Sequence, residues 1–303
     1  MDAIRTNNLC KTYGTKVAVD QVNLEVPKGA IYGFIGRNGS GKSTTQKMIC
    51  GVAHPTAGEL SLFGKPGTDP SVRSQVGALI ETPGIYPGMS AVENLILQGY
   101  NVGVENPKKE ALVNLAMVGL EANAKKKAKA LSLGMKQRLG IAIALTGNPN
   151  LLILDEPSNG LDPEGIIDLR NVILRLNEEA GITMLISSHI LGELSKIATH
   201  YGVIKEGKLV EQVTAEEMQR KRESYLSVSV SEPREAMSLI KNNIQPEDCK
   251  IDENGSLRIY GVTDTGAVNQ LLTGSGYKVQ EIYLHKQDLE EYFINLMGDE
   301  KVA

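Results

Sequence analysis

Three short, unbroken apolar runs punctuate the chain: Ile31-Tyr32-Gly33-Phe34-Ile35, Leu151-Leu152-Ile153-Leu154 and Ile182-Thr183-Met184-Leu185-Ile186. Apolar runs of this length without alternation are the form taken by parallel strands covered on both faces. Residues 17–26 instead alternate apolar and polar (Val17, Val19, Val22, Leu24, Val26) up to Pro27-Lys28-Gly29, which predicts one half-buried antiparallel strand and a turn. Between about 90 and 147 the spacing predicts helices over 91–98, 108–120 and 134–145 and no strand, hence a helical insertion at about 88–147 between two core strands. A mainly parallel core sheet with an antiparallel β part and intervening helices is an open α/β architecture. After residue 214 the pattern changes to strand 225–230, helix 234–243, strands 249–252 and 257–262, helix 267–272, strand 278–284 and helix 287–297. That β-α-β-β-α-β order predicts a small α+β domain of ferredoxin-like type over 215–303, following a first domain over 1–214.

A chain of 303 residues has room for both. With 41% apolar and 22% charged residues it is a globular protein, neither a disordered tail nor a collagen-like repeat. No stretch approaches the ~18 consecutive apolar residues of a membrane helix. The net charge of −4 gives no support for direct nucleic-acid binding. Cys10, Cys50 and Cys249 are widely spaced and odd in number, which suits a reducing compartment, and the N-terminus lacks the apolar core of a secretion signal; a cytoplasmic location is expected. Thirty-one residues are glycine, above the ~7% share of an average protein.

Part of that surplus has a chemical reading. Directly after the run at 31–35 comes Gly36-Arg37-Asn38-Gly39-Ser40-Gly41-Lys42-Ser43-Thr44, which satisfies G-x-x-x-x-G-K-[ST] between a strand and a helix. Glycines let such a loop turn its backbone N–H groups onto phosphate oxygens, and the helix N-terminus adds positive potential. Lys42 would reach the β- and γ-phosphates, and the Ser43 hydroxyl would take one position on Mg²⁺. A second acidic element, Asp155-Glu156, closes the run at 151–154, at the strand end where ligands of α/β sheets bind. Asp155 suits a Mg²⁺ partner and Glu156 the group that polarises attacking water. His189, after the third run, could touch the γ-phosphate or order that water. The run Lys125-Lys126-Lys127-Ala128-Lys129 reads as a solvated face, with contact to anionic lipid headgroups or a partner as the alternative, and His285 and the Glu290-Glu291 pair read as surface positions.

These residues resemble the nucleotide-binding subunits of ABC transporters, together with two further motifs: Ala130-Leu131-Ser132-Leu133-Gly134-Met135-Lys136-Gln137-Arg138-Leu139, similar to the family signature, and Ser158-Asn159-Gly160-Leu161-Asp162-Pro163. Five elements stand in the family's order over about residues 4–210. The resemblance implies a P-loop NTPase cassette with an antiparallel β part and a helical insertion, using ATP and Mg²⁺. It implies adenine stacking on Tyr13, and a homo- or heterodimer in which Ser132 and Gly134 face the nucleotide of the opposite subunit in a head-to-tail sandwich. Asp162 belongs to the segment that follows the acids. Leu133 and Met135 depart from the family's Leu-Ser-Gly-Gly-Gln, and Glu81 stands where the family has a Gln that reaches Mg²⁺ and senses the membrane subunit. The resemblance also implies separate transmembrane permease subunits and a peripheral place on the inner face of the cell membrane.

Leu79-Ile80-Glu81-x-Pro-x-x-Tyr-Pro together with the C-terminal extension is most similar to the drug, bacitracin and lantibiotic export or immunity branch. Two other readings remain open at this point: an ABC-type ATPase acting on ribosomes or nucleic acid, and a non-catalytic module that binds nucleotide without turning it over.

Overall fold

The computed structural model describes residues 1–189, 191–221, 224–286, 292, 293 and 296. The chain divides into two compact units, Met1–Ala215 and Glu216–Ala303.

The first unit is built on a six-stranded sheet in the order Lys208–Thr214, His200–Lys205, Ile31–Ile35, Thr183–Ser188, Leu151–Asp155, Val76–Leu79. All neighbours are parallel except the edge pair His200–Lys205 and Lys208–Thr214. The three apolar runs are its centre, and every residue of those strands is buried. A second sheet, antiparallel, pairs Asp2–Tyr13 with Lys16–Val22, Glu25–Pro27 and Ala57–Leu62, the last carrying Lys65–Pro66. One core joins the two sheets through the helix Lys42–Ile49: Ile4, Leu24, Phe34, Met48, Leu151 and Leu185 all belong to it.

The single strand expected over residues 17–26 is two strands. The parity of the apolar positions switches between Val19 and Val22, and there Gln21 takes φ 51°. At the break, side chains replace ladder bonds: the Asn23 Oδ1 accepts from Asn8 N at 2.8 Å, while Thr6 Oγ1 donates to Val22 O and accepts from Leu24 N, each at 2.8 Å. Val22, Leu24 and Val26 stay buried in the new parity, so an apolar residue still falls at every second position across the gap between the two strands.

Three helices, Ala91–Val102, Pro107–Met117 and Leu133–Ala144, fill the region between Val76–Leu79 and Leu151–Asp155. Each starts on a side-chain cap: Ser90 with Glu93 in a full capping box, Asn106, and Ser132. A cap of this kind satisfies backbone N–H groups the helix itself leaves open. The lysine run is exposed at Lys125, Lys126, Lys127 and Lys129. Its backbone is tied to the segment ahead of the first helix by Ala128 N to Met89 O at 2.9 Å and Lys129 N to Pro87 O at 3.0 Å.

The second unit has Ser224–Val230, Pro233–Asn243, Asp248–Ile251, Leu257–Tyr260, Thr265–Gly274 and Val279–Lys286 in β-α-β-β-α-β order. Its sheet is antiparallel, with the first strand between the third and fourth and the second outside the third, the ferredoxin-like arrangement. Leu226, Val228, Ile240, Ile259, Val268 and Leu272 form its core. His285, expected at the surface, is half-buried and stacked on Tyr225 with ring centroids 4.6 Å apart. The helix expected over 287–297 and the Glu290-Glu291 pair lie outside the described residues, apart from helical positions 292, 293 and 296.

Gly77 sets how closely the helix Leu133–Ala144 approaches the sheet, because a Cβ there would overlap the Ala144 carbonyl oxygen. Gly77→Ala is expected to cost about 1–3 kcal/mol through overpacking and to lower the melting temperature of the first unit by about 2–4 °C per kcal/mol, measured by calorimetry. An unchanged melting temperature would show that the helix yields freely.

Candidate functional site

The strands Ile31–Ile35, Thr183–Ser188 and Leu151–Asp155 are adjacent and end at one level: Ile35 is paired with Ser188, and Asp155 with Ser187. The phosphate loop, Glu156 and His189 therefore emerge side by side from the carboxyl edge of the sheet. The loop is shaped by glycines, two for lack of space and one for its backbone conformation. A Cβ at Gly36 would overlap the Ile204 carbonyl oxygen and the Ser40 hydroxyl, and one at Gly41, whose φ is 111°, would lie 2.7 Å from Ala18 O. Gly39 has φ 82°, a conformation that favours glycine even where space is open. Arg37, Asn38 and Gly39 are exposed at the tip, Ser40 is buried, and Ser43 and Thr44 are half-buried in the first helical turn.

Lys42 is folded back into this loop. Its side chain is only 5% exposed, and Nζ donates to Gly36 O at 2.6 Å and Arg37 O at 3.2 Å. Nζ is also 3.3 Å from Glu156 Oε1, an ionic contact without hydrogen-bond geometry, so that buried oxygen keeps an open acceptor position. The other carboxylate oxygen, Glu156 Oε2, accepts from His189 Nδ1 at 2.6 Å and from His189 N at 3.3 Å. A carboxylate accepts only, which places the ring proton of His189 on Nδ1 if Glu156 is ionised. Lysine, glutamate and histidine thus form one contiguous chain of contacts.

Asp155 is 4% exposed and accepts at Oδ1 from the Ser187 hydroxyl at 2.6 Å. Glu156, with φ 49°, is one of the few non-glycine residues in the left-handed region, where backbone strain of about 1–3 kcal/mol is held by surrounding contacts. Its N–H is bound by Ser187 Oγ at 2.9 Å and Ser187 O at 3.2 Å. Gln46, wholly buried on the phosphate helix, donates to Leu154 O at 3.2 Å and so ties that helix to the acidic strand.

The remaining expected site residues are placed as follows. Tyr13 is 51% exposed, with the Lys11 ammonium 4.9 Å from its ring centroid. Glu81 has φ 62°, and its carboxylate meets Lys47 Nζ at 2.6 Å, one turn along from Ser43 on the phosphate helix. The Lys47 hydrogen bond holds the Glu81 carboxyl below the usual carboxylate range, and the same bond raises Lys47. Ser132 caps its helix by accepting from Met135 N at 3.2 Å, and Leu133 beside it is 52% exposed. A Cβ at Gly134 would meet Gly165 Cα at 3.6 Å, an ordinary contact, so this chain's own packing does not demand glycine there. Asp162 caps the helix Pro163–Glu178, its Oδ1 accepting from Gly165 N at 3.0 Å.

A glycine-built phosphate loop, with a buried lysine against an acid and a histidine on neighbouring parallel strands, defines a P-loop nucleotide-hydrolysing ATPase. The ABC transporter family model matches residues 19–159. The bacitracin transport ATP-binding protein BcrA of Bacillus licheniformis is 40% identical over 97% of both chains. The lantibiotic transport ATP-binding protein SrtF of Streptococcus pyogenes is 43% identical over 68% of this chain and 89% of its own. Among solved structures, a dimeric post-hydrolysis state of the ATP-binding cassette MJ0796 bound to ADP and Pi superposes with a TM-score of 0.63 at 28% identity, covering 70% of this chain and 98% of that one. The chain belongs to the ABC transporter family, as an ATP-binding and ATP-hydrolysing subunit. The likeness to the bacitracin relative extends through the C-terminal unit, and it favours transport over the ribosome-directed and non-catalytic readings. Among the described residues no helix is long and apolar enough to cross a membrane.

Four residues that contribute to this geometry have no role that the sequence motifs assign: Gln46, Lys47, Gln137 and Ser187. Gln137 donates to Pro157 O at 3.0 Å and joins the signature helix to the segment after the acids. Its place in the Gln137-Arg138 pair of the signature was a usable signal. A serine in a buried apolar strand gives no such cue until its partner strand is known.

Glu81 is expected to titrate below the ordinary carboxylate range, and Lys47→Met to return it toward that range, as read by carbon-13 NMR of labelled glutamate. The sign follows from the depressed value: the contact with Lys47 holds above the ordinary carboxylate pKa and is lost as pH falls through the lowered one. Identical titration in both proteins would separate the two side chains in solution.

Proposed function

We propose that residues 1–214 act as the ATP cassette of a transporter that exports a drug or an antimicrobial peptide through separate membrane subunits, and that residues 215–303 form an accessory domain. The observation that carries the catalytic part is the run of contacts from Lys42 through Glu156 to His189 at the ends of adjacent strands. The transport part rests on the full-length likeness to proteins named for bacitracin transport.

The residues present fit ATP and Mg²⁺. Gly36 and Gly41 let the loop pack directly against the Ile204 and Ala18 carbonyls, where a Cβ would collide, and Ser40 Oγ, Gln46 Oε1 and Glu156 Oε1 are buried without a hydrogen-bond partner. Ser43 and Asp155 supply hard oxygen donors of the kind Mg²⁺ takes in small number from protein, the nucleotide and water providing the others. Glu81, engaged with Lys47, is a further oxygen donor on the same side of the phosphate helix. When bound, the metal neutralises phosphate charge.

The protein's own part is positioning. Lys42 would exchange Gly36 O, Arg37 O and Glu156 for phosphate oxygens, releasing the glutamate from its ammonium contact. Glu156 would stay oriented by His189 and accept a proton from the attacking water. Tyr13 offers an aromatic face for adenine. Ser132 and Gly134, at a capped helix start that intrachain packing leaves open, would face the nucleotide of a second cassette in a head-to-tail dimer. Asp162, by capping the neighbouring helix, would hold the segment beside that face.

The test is Glu156→Gln. It is expected to keep ATP affinity within a few-fold while lowering phosphate release by about 10²–10⁴, and in cells to abolish bacitracin resistance conferred together with the membrane subunits. Near-normal turnover would remove Glu156 from the role of base, and unchanged resistance would remove hydrolysis from the transport cycle.

A further inference from the structure

Ser187 carries no motif, yet it touches both acids of the neighbouring strand. Its side chain is wholly buried, its hydroxyl is 2.6 Å from Asp155 Oδ1, and the same oxygen is 2.9 Å from Glu156 N. The direction of each bond is forced. A carboxylate only accepts and a backbone N–H only donates, so the single hydroxyl proton goes to Asp155 while the oxygen accepts from Glu156. One atom therefore does two things at once. It fixes the rotation of the Asp155 carboxylate by occupying Oδ1, leaving Oδ2 as the oxygen for a metal or its water. It also pins the left-handed backbone of Glu156, φ 49°, from which the catalytic side chain turns toward Lys42 and His189.

We infer that Ser187 is a positioning residue that orients Asp155 toward the metal and Glu156 toward the attacking water through one buried hydroxyl. The inference rests on the reading of Asp155 as a metal partner proposed above. Outer partners of metal-binding groups commonly contribute 10–100-fold in metal affinity or activity, and a group used by both carboxylates should affect the metal and the turnover number together. The nucleotide itself, gripped by the loop and Lys42, should bind as before when no metal is present.

The experiment uses the full chain with ATP and Mn²⁺ as the metal probe, its binding read by electron paramagnetic resonance, beside a fluorescent ATP analogue without metal and phosphate release with Mg²⁺. Ser187→Ala, one atom smaller, is expected to weaken Mn²⁺ binding to the ATP complex by about 10-fold or more and to lower kcat by a similar factor. Metal-free nucleotide affinity should stay within two- to three-fold of the wild type, on the order of the scatter of such contacts. Ser187→Thr, which keeps the hydroxyl, should restore metal binding, and Ser187→Val, of nearly the same shape, should not. Wild-type Mn²⁺ affinity in the alanine variant, equal behaviour of Thr and Val, or a matching loss of metal-free nucleotide binding would overturn the inference. Asp155→Asn separates the two levels. If it too leaves Mn²⁺ binding intact, the reading of Asp155 fails; if it abolishes binding while Ser187→Ala does not, only the role of Ser187 fails.

Discussion

A lysine ammonium held almost out of water is the constraint on which the site depends. Lys42 is 5% exposed, and its charge is met by two loop carbonyls and a carboxylate from another strand. A buried charge needs such partners, since an unpaired one costs several kcal/mol. The loop must therefore close tightly enough to bring Gly36 O to 2.6 Å, and the sheet must deliver Glu156 to the same place. Both requirements reach back to register. Ile35 opposite Ser188 and Asp155 opposite Ser187 set three strand ends level, and a slip of one residue would turn every side chain of a strand to the other face.

Around that centre, the fold supplies rigidity in layers. Gln46 ties the phosphate helix to the acidic strand, Ser187 ties the acidic strand to the histidine strand, and Gln137 ties the signature helix to the segment after the acids. Gly77 allows the signature helix to lie against the sheet edge, and the capped helix starts at Ser132 and Asp162 come together where Gly134 approaches Gly165. The contact between Glu81 and Lys47 adds a more exposed link between the phosphate helix and the loop leading to the helical region.

Much of this was legible in the chain itself. The apolar runs at 31–35, 151–154 and 182–186 are the centre of the parallel sheet because strands covered on both faces have no reason to alternate, and the phosphate loop stands between strand and helix as its spacing requires. The break between Val22 and Glu25 stayed hidden because Asn23 and Thr6 replace the missing ladder bonds while Val22, Leu24 and Val26 keep the apolar spacing across it. The pairing of Glu81 with Lys47 and the role of Ser187 were invisible for another reason. They join positions 34 and 32 residues apart through the fold, and no periodicity encodes which partner a surface carboxylate or a buried hydroxyl will meet.

The central claim is that nucleotide replaces Glu156, Gly36 and Arg37 as the partners of Lys42, freeing the glutamate while His189 keeps it oriented. A crystal structure of the full chain with Mg²⁺ and a non-hydrolysable ATP analogue tests it most directly. The account predicts Lys42 Nζ at hydrogen-bond distance from phosphate oxygens, no contact with Glu156 Oε1, and the His189–Glu156 bond intact. A nucleotide bound with Lys42 still against Glu156 and the loop carbonyls would contradict it.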